Sequence, residues 1–263
     1  MLPFIHIASL QIPTFFLVIS LTVLCSLSLF YSALNSKRFA LLSRAGFVPS
    51  DGIDLSLILM VSGFLGARLM HVFYELPEFY FANPKMILAF WQGGFVFYGG
   101  FLLALLGGFA WLKIRIRRFK RKPSFTKSFF QWADLLAPAV SLSYLLGRFG
   151  CLLEGCCYGR FTEVPWAIAL RHPTPLYASL MEAINFLVLF FISRKKDLFL
   201  KEGSLFFTWL FLHSCFRMIM ESFRDDFRGP TFGVLSISSL ISISLAVISF
   251  LGVSFLNRQK NRA

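Results

Sequence analysis

The chain has 263 residues, 57% of them hydrophobic and 15% charged, with 34 phenylalanines and a mean hydropathy of +0.69. That apolar share exceeds what a water-soluble domain carries, so a bilayer is the natural solvent. The formal net charge of +13 raises a nucleic-acid binder as an alternative, which the placement of the cations decides.

Apolar runs of about 18 residues or more mark membrane spans. They recur at residues 12–34, 53–75, 95–114, 129–153, 176–193, 203–221 and 232–255. The expected fold class is therefore an all-α polytopic membrane protein of seven transmembrane helices, with 1–263 forming a single integral-membrane domain. The first run has no Lys or Arg before it, so it lacks the cationic start of a secretory signal and is expected to stay as a span. The second carries Arg68 and His71, and the third opens on "GGFVFYGG" (93–100). The fourth is interrupted by Asp134, Pro138 and Arg148; the fifth is short and holds Glu182; the sixth closes on Arg217 and Glu221.

Most of the 26 Lys and Arg follow the odd-numbered runs: Lys37, Arg38 and Arg44, then Lys113 through Lys127, then Arg194, Lys195, Lys196 and Lys201, then Arg258, Lys260 and Arg262. Cytoplasmic loops retain such cations, which places the N-terminus outside and the C-terminus inside, as an odd number of spans requires. "KIRIRRFKRK" (113–122) then reads as a solvated loop beside anionic headgroups, and nucleic acid is excluded as a partner.

An ionisable side chain in a span costs roughly 2.5–3.5 kcal/mol on insertion scales, so each needs a reason. In this topology Arg68 and His71, Tyr98 with Gly99 and Gly100, Arg148, His172 and Tyr177, and Arg217, Glu221 and Arg224 all fall toward the outer face. Each has a plainer use. Arg68 can snorkel to headgroups, Arg217 and Glu221 have the spacing of an ordinary i,i+4 ion pair, Asp134 can cap or pair, and the glycines can pack helices. Together they suit a phosphate at headgroup depth, because guanidinium forks match its oxygens and glycines admit backbone N–H groups. A phospholipid is the phosphate-bearing molecule always at that depth.

Cys25 and Cys215 sit in apolar runs as small hydrophobes. Cys151, Cys156 and Cys157 fall near the outer surface, with a C-x4-C-C spacing unlike zinc pairs or thioredoxin-like motifs. A disulfide or simple packing ranks above a nucleophilic role, and no metal is expected.

Six motifs in order carry a resemblance: "GARLMHVFYE" (66–75), "GGFVFYGG" (93–100), "QWADLLAP" (131–138), "GRFGCLLEGCCYGR" (147–160), "RHPTPLY" (171–177) and "RMIMESFRDDFRG" (217–229). Over roughly residues 10 to 255 the chain resembles the prolipoprotein diacylglyceryl transferase family. The resemblance implies a seven-helix enzyme of the bacterial inner membrane, its site toward the periplasm. Such an enzyme moves the diacylglyceryl group of phosphatidylglycerol onto the thiol of a lipobox cysteine in a prolipoprotein signal peptide, releasing glycerol phosphate. It implies no cofactor. Arg148 would clamp the lipid phosphate; Arg217, with Glu221 as its partner and Arg224 as a second cation, would stabilise the departing charge. The general base is either Tyr98, a poor base at neutral pH unless the arginines lower its pKa, or His172, and Arg68, Gly99, Gly100, Gly147, Gly159 and Tyr177 are expected to bind substrate. The sequence departs from the family at four places: Cys151 stands for its asparagine, Cys156 for its acidic residue and Tyr98 for its histidine, and the tyrosine of its first helix has no counterpart in "TFFLVISLTVL" (14–24). Those departures keep open a diverged paralogue that binds an anionic phospholipid or modifies another acceptor. A channel is disfavoured by the one-sided polarity.

Overall fold

The computed structural model describes residues 4–7, 10–90, 93–194, 201–225, 231–232 and 235–260. A short antiparallel ribbon of β1 (Phe4–Ile7) and β2 (Leu10–Pro13) leads into α1 (Thr14–Ala33). Then come α2 (Phe39–Arg44), α3 (Pro49–Met70) with a wider π turn at His71–Glu75, α4 (Pro77–Ala82), a 3-10 turn (Pro84–Leu88) and α5 (Phe97–Arg117). The chain continues through α6 (Phe125–Glu154), α7 (Thr174–Arg194), α8 (Ser204–Glu221), a second small ribbon of β3 (Thr231–Phe232) and β4 (Leu235–Ser236), and α9 (Ile237–Lys260). The two ribbons are additions to the all-α expectation, and both precede a long helix.

A helix covers most of every expected span. Pro138 does not break α6, which runs through it for 30 residues. Among the described residues, five segments are long and apolar enough to cross a bilayer: Thr14–Ala33, Pro49–Glu75, Gly99–Arg117, Phe125–Glu154 and Thr174–Arg194. α8, which carries His213, Arg217 and Glu221, is not among them, and the apolar stretch Ser238–Ser254 of α9 is shorter. The chain is a multi-pass membrane protein. Its exposed residues are those a lipid-facing surface uses, such as Leu24, Phe101, Leu106, Leu180, Ile184, Phe191 and Phe250, while Asp51, Arg68, Asp134, Glu182 and Asn185 are buried. That inversion of the water-soluble pattern follows from a solvent as apolar as leucine.

Packing divides the chain into two compact units, Leu34–Phe129 and a larger one formed by Met1–Ala33 with Phe130–Ala263. In the smaller, α3 and α5 approach through glycines. A Cβ on Gly66 would collide with the carbonyl of Gly99, and one on Gly100 would lie 2.8 Å from the carbonyl of Gly63. Gly107 meets Ser62 at 2.8 Å and Gly108 meets Leu59 at 3.0 Å in the same way. Small residues let backbones come this close, which is how helices gain contact when lipid offers no hydrophobic drive between them. Gly99 and Gly100, expected to bind substrate, are thus part of this seam. Toward the other end, Arg115 closes the pair by donating from Nη2 to Asp51 Oδ2 at 3.1 Å.

In the larger unit, Asp134 caps α8 from a distance in sequence. Its carboxylate accepts the N–H groups of Gly203 and Phe206, both at 2.9 Å, and so satisfies two donors that a helix start leaves open. Ala137, Leu189 and Leu205 pack beneath it. The capping use that the sequence allowed for Asp134 is the one observed.

Candidate active site

The larger unit gathers Arg148, Arg217, Glu221, Arg224, His172 and Tyr177 with three further side chains the sequence had not picked out for a site. α6 presents Tyr144 and Arg148 one turn apart. Arg148 Nη2 donates to the Tyr144 hydroxyl at 2.7 Å, and its guanidinium carbon lies 4.7 Å from the Tyr144 ring centroid. The other side of Tyr144 meets His213 of α8 edge-on, with centroids 4.8 Å apart at 88°. His213 Nδ1 is 2.8 Å from Glu182 Oε2.

Glu182 is 2% exposed, in the middle of α7. A buried carboxylate survives only when its oxygens are filled. Oε1 accepts from Ser141 Oγ at 2.8 Å, Asn185 Nδ2 at 3.1 Å and Trp209 Nε1 at 3.0 Å, leaving Oε2 to His213. With Glu182 as a carboxylate, the hydrogen of this contact belongs to His213 Nδ1, and in the neutral ring Nε2 then keeps its lone pair. Tyr144, Glu182, His213 and Arg217 line one small cavity with Met181 and Met220.

His213, Arg217 and Glu221 are successive i,i+4 positions of α8 and share a face. Arg217 Nη1 lies 3.5 Å from Glu221 Oε2, and its Nη2 donates to Ser238 Oγ at 2.8 Å. Glu221 Oε1 accepts from Ser236 Oγ at 2.6 Å. The ion pair expected from spacing is present, and the start of α9 extends it.

The segment from Gly155 to Pro173 folds back on the exit of α8. Gly159 donates to the carbonyl of His172 at 2.8 Å, and Arg160 N–H donates to the carbonyl of Phe223 at 2.9 Å. Any side chain at Gly159 would collide with that Phe223 carbonyl, so the glycine permits this close backbone approach. Gly147 is different: nothing lies within 4 Å of where its Cβ would be, so space is open beside Arg148. His172 Nδ1 is 3.2 Å from the Tyr177 hydroxyl, which also accepts from Trp166 Nε1 at 2.6 Å, and both rings pack on Phe223.

Cys151, at the end of α6, and Cys156 and Cys157, on the following turn, bring their sulfurs within 4.8 Å of one another. The spacing matches no metal motif, and all three are free thiols. The turn gathers them through left-handed backbone at Gly155 (φ 80°) and at Cys157 (φ 63°), a conformation rare for a residue with a side chain. A hydrogen bond from Cys151 lowers the Cys157 thiol to about 5, helped by the charges of Arg224 and Arg148; burial, with contributions from Cys157, raises Cys156 to about 11. Those cations therefore act on the same spot as the thiols.

In the smaller unit Arg68 is 3% exposed and does not snorkel. Nε donates to the carbonyl of Ile87 at 3.1 Å, Nη2 to those of Met86 at 2.7 Å and Ala89 at 3.3 Å, and Nη1 to those of Gly93 and Gly94. Arg68, expected as a substrate ligand, holds the carbonyls of residues 86–89 and 93–94, where Gly93 and Gly94 have the positive φ that turns their carbonyls inward. His71 pairs with Glu75 beside it. Tyr98 lies in the first turn of α5 with its side chain outside the described residues.

The missed residues had a signal. Tyr144 and His213 each stand four positions before an arginine already singled out, on the same helical face.

Comparison with known proteins agrees with the motif order. The family described as prolipoprotein diacylglyceryl transferase matches residues 3–255. Relatives named phosphatidylglycerol–prolipoprotein diacylglyceryl transferase include one from Geobacter sulfurreducens, 30% identical over 80% of this chain and 80% of its own. One from Polaromonas is 30% identical over 86% of this chain and 84% of its own, and one from Trichormus variabilis is 30% identical over 79% and 75%. With nearly the whole length matched and the motif arginines in place, the chain belongs to the prolipoprotein diacylglyceryl transferase family.

Proposed function

We propose that this protein spans the bacterial cytoplasmic membrane seven times, with its N-terminus and its site outside, and transfers diacylglyceryl from phosphatidylglycerol to the lipobox cysteine thiol of prolipoproteins. The observation that carries the reading is the linked group Arg148–Tyr144–His213–Glu182, with Arg217 on the same cavity. It puts cations for a leaving phosphate beside a histidine oriented to take a proton.

In the reaction the thiol sulfur bonds to the glycerol carbon that carries the phosphate, and the C–O bond to that phosphate breaks. Glycerol phosphate leaves with the bonding electrons, and the thiol proton goes to the base. Arg148 and Arg217 stabilise the charge growing on the departing oxygen, with Arg224 a further cation and Glu221 and Tyr144 fixing their directions. His213 Nε2 accepts the proton while Glu182 holds the ring and offsets the charge it gains. His172, turned toward Tyr177, and Tyr98, at the place of the family's histidine, are the competing bases. Gly147 leaves room for the lipid beside Arg148.

The test is to add phosphatidylglycerol and a lipobox peptide to detergent-purified protein and look for the diacylglyceryl adduct by mass spectrometry, with Arg148→Ala as control. An adduct lost in the variant supports the reading. A second reading, a diverged paralogue acting on another acceptor, is favoured by Cys151 and Cys156 at the family's asparagine and acidic positions. Folded protein that binds the lipid but yields no adduct would select it.

A further inference from the structure

We propose that Cys151, Cys156 and Cys157 bind one zinc ion through three thiolates, with the fourth position open to an exchangeable ligand. Their sulfurs lie within 4.8 Å of one another, and Cys156 and Cys157 are 3.4 Å apart at sulfur. A tetrahedral zinc with bonds of about 2.3 Å sets its thiolates about 3.8 Å apart, so side-chain adjustment of a few tenths of an ångström per sulfur closes the site. Among the described residues no fourth His, Cys, Asp or Glu joins the group. Three soft donors with one place free suit zinc; an iron–sulfur cluster takes four thiolates, and hard cations take oxygens.

The surroundings fit the charge. Zinc with three thiolates is an anion overall, and at half-buried cysteines it is favoured by cations near it. Arg148 stands three residues before Cys151 on α6, and Arg224 is bridged to Gly159 just past Cys157. The backbone fits as well. Cys157 holds a left-handed φ that its side chain disfavours, and residues kept in such conformations cluster at ligand clamps. The Cys157 carbonyl is tied by the Thr174 hydroxyl, which fixes the turn from its other side. A metal here would clip the end of α6 to the segment that bridges, through Gly159, to Arg224. It would thus hold Arg148 and Arg224 in mutual register. The inference concerns binding and does not rest on the transfer reaction.

The test uses full-length protein purified in detergent under reductant, stripped with chelator and titrated with cobalt(II) as a spectroscopic stand-in for zinc. The expected result is one cobalt per chain with thiolate-to-metal charge-transfer absorption, displaced by zinc and absent from the triple variant C151S/C156S/C157S. Loss of even outer-shell partners costs 10–100-fold in metal affinity, so Cys151→Ser alone should weaken binding by more than about 100-fold. Because a variant can fail by misfolding, wild-type protein is also alkylated with and without zinc and mapped by mass spectrometry. Zinc should protect these three cysteines and leave Cys25 and Cys215 unchanged. Absence of the charge-transfer band from reduced wild-type protein, or equal alkylation of the three thiols with and without zinc, would overturn the proposal. Transferase activity is a separate measurement, so an inactive protein that binds cobalt sinks the reaction and not the site.

Discussion

Replacing Glu182 by Gln separates the carboxylate's structural work from its effect on His213. The amide oxygen can keep the three hydrogen bonds now made to Oε1, from Ser141, Asn185 and Trp209. The amide nitrogen then faces His213 as a donor, so Nδ1 must become the acceptor and the ring hydrogen moves to Nε2. All four bonds lose their charge assistance, at about 1 kcal/mol each, while a buried charge no longer has to be desolvated, so the protein should still fold. The proposed base, however, has lost its lone pair. General-base help is worth roughly 10²–10⁴, and the comparable carboxylate-to-amide change in a serine protease triad costs about 10⁴ by the same tautomer argument. Adduct formation should therefore fall by about 10²- to 10⁴-fold, while the detergent melting temperature changes little. Glu182→Ala is the contrast: it takes the acceptor from four donors, leaving Trp209 Nε1 and His213 Nδ1 without one at about 1 kcal/mol or more each, and should fold less stably than the Gln variant. Glu182→Gln protein that melts normally and transfers at the wild-type rate would remove His213 from the mechanism.

Arg148→Ala should abolish adduct formation with membrane insertion intact, and Arg148→Lys should restore little, because a point charge lacks the fork; a fully active Ala variant would refute the phosphate role. Gly66→Ala puts a methyl against the Gly99 carbonyl and 2.5 Å from Leu103 Cβ, and should cost about 1–3 kcal/mol, read as a lowered melting temperature in detergent. Asp134→Ala removes both donors' partner at the start of α8 and should lower stability by about 1 kcal/mol without changing which substrates react. In chelator-treated protein, Cys157 should react with iodoacetamide at pH 6 and slow as the pH falls through about 5, whereas Cys156 should need pH near 11. Since a free thiol titrates near 8.5, the depressed Cys157 value contributes stability that is fully present above that pH and is lost as the pH falls through about 5; a melting temperature flat between pH 5 and 8.5 in the metal-free protein would count against it.

The sequence by itself determined the solvent, the helices and the family. Hydropathy is a one-dimensional property, so runs at 12–34 and 176–193 became α1 and α7 with ends shifted by a few residues. Spacing along one helix was equally legible, which is why the Arg217–Glu221 pair appeared as read. Contacts across helices were not, because periodicity says which residues share a face and nothing about which face of which helix it meets. Only the tertiary structure set Glu182 of α7 against His213 of α8, turned Arg68 onto five carbonyls, and spent Gly99 and Gly100 on the α3 seam. The three thiols are the sharpest instance. Their spacing matched no metal motif, and a left-handed turn that sequence patterns do not announce gathered them into one place.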